Sequence, residues 1–91
     1  MKSAARITVT GLVQGVGYRW FVYKRASELD LKGLVRNQDD GSVYVEVEGD
    51  KTLIEALIEK LKKGPTFSRV TDVRTTWEES KNQFSNFYIA D

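Results

Sequence analysis

The chain contains no cysteine and no histidine, and only one proline and one methionine among 91 residues. Without cysteine there is no disulfide framework and no thiolate nucleophile, and the composition fits a reducing compartment. Without histidine, the commonest general base and the commonest zinc ligand are both missing. An excess of one charge is lacking as well: 14 basic and 13 acidic residues leave a net charge of +1. Bulk electrostatics therefore give no reason to expect nucleic acid or an anionic membrane as partner. No apolar stretch approaches the roughly 20 residues that span a bilayer. Met1-Lys2-Ser3-Ala4-Ala5 lacks the apolar run of a signal peptide. The expected location is the cytoplasm, and the expected state is a monomer with no metal and no cofactor.

What is present describes one ordered domain over residues 1–91. A chain that is 41% hydrophobic and 30% charged, with no polar tract, is ordinary for a globular protein of this length. Arg6 to Gln14 alternates, with Ile7, Val9 and Val13 on one face, and reads as a strand. Tyr18, Val22, Ala26 and Leu29 form a single stripe and predict a helix from Arg19 to Asp30. Gly33 is expected to help the chain turn into a second strand, Leu34-Val35-Arg36-Asn37. Asp40-Gly41 is the strongest hairpin signal. Val43, Val45 and Val47 then alternate with Tyr44, Glu46 and Glu48 in a third strand.

Asp50 is placed as the N-cap of a second helix, whose stripe is Leu53, Ile54, Leu57, Ile58 and Leu61. Lys60, Lys62, Lys63, Gly64 and Pro65 close it. Val70 to Trp77 is a fourth strand. Val70 and Val73 are three apart instead of two, which a bulge or a late strand start would explain. Phe87-Tyr88-Ile89 reads as a short final strand. The order predicts an α+β, ferredoxin-like split βαβ sandwich: an antiparallel sheet with both helices on one face. That fold hosts enzymes, RNA binders and metal carriers alike, so function must come from a site.

Gly11-Leu12-Val13-Gln14-Gly15-Val16-Gly17-Tyr18-Arg19 is the candidate site. A glycine-rich turn at a helix start leaves backbone N–H groups aimed at an anion, and the helix dipole adds to their pull. Arg19 stands at the wrong end of that dipole for a cation. A bound phosphate would offset both positive sources. Neither nucleotide loop is present: Gly17 is followed by Tyr18-Arg19 where a Walker A loop needs Lys-Ser/Thr, and Gly15-Val16-Gly17 leads to Trp20 where a dinucleotide fingerprint needs glycine. Trp20, Phe21 and Tyr23 read as core and sheet-packing residues.

The glycine loop, Gly33-Leu34-Val35-Arg36-Asn37, Asp40-Gly41-Ser42-Val43, Gly49, Gly64-Pro65 and Phe87-Tyr88-Ile89 together resemble the acylphosphatase family over essentially the whole chain. The resemblance implies hydrolysis of the carboxyl–phosphate bond of acyl phosphates, with inorganic phosphate as product and inhibitor. It implies that Gln14, Gly15, Val16, Gly17, Tyr18 and Arg19 bind the phosphate, Arg19 also by its charge, and that Asn37 positions the attacking water. Similar domains open larger hydrogenase-maturation proteins, and a chain ending at Asp91 fits the free-standing enzyme better. The chemistry of the residues agrees. A carboxylate leaves without a strong general acid, and phosphoryl transfer asks mainly for positioning and charge stabilisation. The alternative is a non-catalytic binding module of the same topology, for single-stranded RNA. Its central strands would need exposed aromatics, and the outward face of the third strand offers one aromatic and two carboxylates.

Overall fold

The computed structural model describes residues 1–90. Its elements are β1 (Lys2–Leu12), α1 (Tyr18–Glu28), β2 (Lys32–Asn37), β3 (Val43–Asp50), α2 (Lys51–Lys63), β4 (Arg69–Glu78) and β5 (Phe87–Ile89). The strands form one sheet in the order β4-β1-β3-β2-β5. The first four are antiparallel neighbours, as the sequence predicts, and β5 adds to the β2 edge in parallel. The sheet is thus mixed. A three-residue strand carries too little pattern to reveal its direction in sequence.

The inward-facing residues of the sheet are Ala5, Ile7 and Val9, then Val35, then Val43, Val45 and Val47. They share one core with Tyr18, Val22 and Ala26 of α1 and with Ile54, Leu57 and Leu61 of α2. Both helices therefore cover the same face, each through a stripe of 3.6-residue period. Asp50 caps α2, its carboxylate accepting the Thr52 N–H at 2.9 Å. The irregular spacing in β4 is a bulge: Thr10 pairs with Asp72 and Gly11 with Val70, so Thr71 is the extra residue.

One expectation is corrected. Gly33 does not shape the turn after α1; Asp30, at φ 57°, supplies the positive φ there. Gly33 lies inside β2 at φ 148°, and an added Cβ would sit 1.9 Å from the Glu46 carbonyl oxygen. Glycine is needed for close backbone approach. Glu48, on the outward face of β3, is closed off from solvent. It is only 6% exposed, and it accepts the backbone N–H groups of Lys81, Gln83 and Phe84. The link from β4 to β5 joins opposite edges of the sheet, and Glu48 holds it in passing.

Candidate active site

The loop between β1 and α1 ends on Gly17, the N-cap of α1, in the left-handed conformation (φ 79°, ψ 19°). Gly15 also has positive φ, at 75°. No side chain caps the helix, and its first turn holds no acidic residue. Such a cap is usually supplied by Ser, Thr, Asp or Asn and is worth about 1 kcal/mol. Among the described residues, no acceptor pairs with the backbone N–H groups of Gly15, Val16, Gly17, Tyr18, Arg19 or Trp20; the helix ladder begins with Phe21 N–H donating to the Gly17 carbonyl. A helix start stripped of caps and acids, with a cation in its first turn, suits an anionic ligand.

Three contacts fix this loop. The Gln14 amide nitrogen donates to the carbonyls of Gln38 (2.7 Å) and Ser42 (2.9 Å), tying the loop to the β2–β3 turn. That turn is closed by Gln38 N–H donating to the Ser42 carbonyl, and by Asp40 accepting from both the N–H and the hydroxyl of Ser42. These bonds hold the Asp40 carboxyl below its ordinary range. Tyr18 points the other way: it is buried, and its hydroxyl donates to the Leu61 carbonyl at 2.8 Å, joining α1 to α2. Burial pushes its phenol well above the usual range, so the side chain is a neutral pin. Arg19, half-buried, places Nη1 3.5 Å from the Ala90 carbonyl. Ala90 is itself anchored, its N–H donating to the Val35 carbonyl at 2.8 Å. The chain just beyond β5 therefore backs the guanidinium.

Asn37 ends β2. Its Oδ1 is enclosed and has no hydrogen-bond partner among the described residues. An unpaired enclosed acceptor costs about 1–3 kcal/mol, and such a defect calls for a functional explanation. Gly15, Gly17, Tyr18, Arg19 and Asn37 line one open depression of about 400 Å³, together with Val13, Trp20 and Ile89. The structure thus brings the loop, Arg19 and Asn37 into one place. The side chains of Gln14 and Val16 do not line it: Gln14 is spent on the turn, and Val16 packs against the core. Sequence reasoning missed Trp20 and Ile89, having read the tryptophan as a core residue. Trp20 is 59% exposed and stacked on Tyr23. Trp20 lies off the Tyr18–Val22–Ala26 stripe that α1 buries, so the helical period itself turns it away from the core. Among the described residues, no three of Asp and Glu converge as a metal site would require.

The acylphosphatase family profile matches residues 5–89, taking in the whole loop, Arg19 and Asn37. The chain belongs to the acylphosphatase family. A curated acylphosphatase of Caldanaerobacter subterraneus is 43% identical over 89 residues, which is 98% of this chain and 99% of that one. The crystal structure of the acylphosphatase from Bacillus subtilis superposes with a TM-score of 0.95 at 40% identity, each chain fully covered. Full-length HypF, in a phosphate- and nucleotide-bound form, contains a similar unit (TM-score 0.88, 34% identity) that is 12% of its length. Acylphosphatase activity, hydrolysis of the carboxyl–phosphate bond of acyl phosphates, is the activity of this chain. The RNA-binding alternative also lacks its platform. The one aromatic on the outward face of β3, Tyr44, lies under the Arg36 guanidinium at 4.6 Å and bonds Glu46 through its hydroxyl.

Proposed function

We propose that the phosphoryl group of the substrate rests on the backbone N–H groups of the Gln14–Arg19 loop and on the Arg19 guanidinium, with Asn37 holding the water that attacks phosphorus. The observation that carries this reading is the shared depression. Residues with unpaired backbone amides, the Arg19 side chain and Asn37, whose side-chain oxygen has no partner, all line it. Arg19 can match two phosphate oxygens through its planar fork of donors. The amides are preorganised dipoles aimed at the equatorial oxygens, where charge gathers during transfer.

Asn37 is not a base. Half a turn about its last side-chain torsion exchanges Oδ1 with Nδ2, so the amide offers water either an acceptor or a donor. A bond forms between the water oxygen and phosphorus as the bond from phosphorus to the acyl oxygen breaks. The electron pair leaves with the carboxylate, and the water's proton passes to a phosphate oxygen. No step calls on histidine, a thiolate, a metal or a cofactor. We also take residues 1–91 as one domain, acting as a monomer in the cytoplasm. In support, the core is shared by both helices and the described residues contain no helix long and apolar enough to cross a membrane.

Benzoyl phosphate hydrolysis by wild type, Asn37→Ala and Arg19→Ala tests the roles. Asn37→Ala should lower kcat on the order of 10²-fold, the cost of losing alignment, while inorganic phosphate inhibits it as it does wild type. Arg19→Ala should weaken phosphate inhibition and turnover together, with kcat falling on the order of 10²–10³-fold. Near-wild-type kcat in Asn37→Ala would remove the water-holding role. Turnover should survive a chelator.

A further inference from the structure

The phosphate end of the depression is polar, but its rim is not. Trp20 follows Arg19 in the first turn of α1, is 59% exposed, and lines the same depression as Arg19 and Asn37. Ile89, 39% exposed at the end of β5, lines it as well. A single exposed apolar residue would need no reason, but Trp20 and Ile89 expose apolar surface at one and the same depression. Trp20 is also not free to swing: its ring stacks on Tyr23, three residues on along α1, with centroids 5.4 Å apart and planes 27° apart. The stack holds the indole in place before anything binds, which removes much of the entropy cost of using it as a contact.

We propose that Trp20, held by Tyr23 and accompanied by Ile89, is the platform for the acyl group, and that it selects acyl phosphates with aromatic or extended apolar acyl groups over short ones. This rests on the placing of the phosphoryl group at the Gly15–Arg19 loop. An acyl phosphate has two unlike halves. With its charged half on the amides and Arg19, its carbon half must lie along the rest of the wall. At about 400 Å³ the depression lies in the range of roughly 300–1,000 Å³ usual for small-molecule sites, more than a lone phosphoryl group requires. The two exposed apolar side chains of that wall are far apart in sequence, one on the helix and one on the last strand, so the rim is built by tertiary structure. An aromatic acyl group would stack on the indole or meet its edge, a contact that acetyl is too small to make.

The test is the ratio of kcat/KM for benzoyl phosphate to that for acetyl phosphate in wild type, Trp20→Ala and Trp20→Phe. An aromatic contact of the usual strength predicts that Trp20→Ala lowers this ratio about three- to tenfold, through KM for the benzoyl substrate. Trp20→Phe should recover most of it. Because Trp20 is exposed, loss of folding should not cloud the result. Inhibition by inorganic phosphate separates this proposal from the reading beneath it. An unchanged ratio in Trp20→Ala, with phosphate inhibition intact, overturns the platform alone. An Arg19→Ala variant inhibited by phosphate as strongly as wild type moves the phosphate site elsewhere and overturns both.

Discussion

The Glu48 carboxylate accepts the backbone N–H of Gln83 at 2.9 Å, across 35 positions of sequence. With Lys81 and Phe84 bound to the same carboxylate, one side chain holds the strand-to-strand link that delivers β5 to the sheet. Hydrogen bonds to a charged partner are worth about 1.5–3 kcal/mol each in favourable cases. Glu48→Ala should destabilise the fold by about 2 kcal/mol or more in urea unfolding. Glu48→Gln, which keeps the shape and loses the charge, should cost less. Amide exchange at Gln83 and Phe84 should quicken in both variants, and unchanged protection there would exclude the clamp.

Gln14 should behave as a tie more than as a ligand. Its two bonds hold the glycine loop against the turn that follows Asn37. Gln14→Glu would aim an acceptor at two carbonyl oxygens and should lose about 2 kcal/mol of stability, with kcat reduced. If Gln14→Glu weakened phosphate inhibition strongly yet left the melting temperature untouched, the side chain would be a phosphate ligand after all.

Alkaline pH should loosen the protein through its tyrosines. Burial raises the Tyr18 phenol, and burial with the nearby Glu46 raises Tyr44 to about 12. Both are held more strongly as neutral phenols when folded than at their ordinary pKa of about 10. Their stabilisation is therefore complete below about pH 10 and is lost as pH rises through the folded-state values. Unfolding free energies measured from pH 8 to 12 should fall at the alkaline end. Tyr18→Phe should be less stable by about 1 kcal/mol at neutral pH and should show a shallower alkaline decline.

Two glycines should respond differently to alanine. At Gly33 the new Cβ would strike the Glu46 carbonyl, so Gly33→Ala should fail to fold or unfold at much lower denaturant. At Gly15 nothing lies within 4 Å, and only the positive φ opposes a side chain. Gly15→Ala should fold with a loss of about 1–3 kcal/mol, and its deficit should appear mainly as weaker phosphate inhibition. Equal losses of stability would refute the distinction.

The legible parts of this fold were those set by period and punctuation. The Val43-Val45-Val47 alternation, the α2 stripe with its Asp50 cap (apart from Leu53, which is exposed) and the misfit between Val70 and Val73 each mapped onto the expected feature. Of the site, Arg19 and Asn37 line one depression. Contacts between distant segments were not legible. Nothing local marks Glu48 as a clamp for a loop more than 30 residues on, or Ala90 as the backing of Arg19. Trp20 misled because it was read by residue type, although its place off the Tyr18–Val22–Ala26 stripe turns it towards solvent.

Arg19 and Ala90 are 71 positions apart and meet only once β5 has docked beside β2. Ile89 reaches the rim by the same event. Chain closure over such a span comes at an entropic cost that the packed core must offset. Hydrolysis of an acyl phosphate is thus a readout of completed folding. A chain still lacking its last strand, whether emerging from a ribosome or frayed by heat, would hold the glycine loop yet leave its arginine unbacked. Loss of turnover on warming should run ahead of loss of the helical signal.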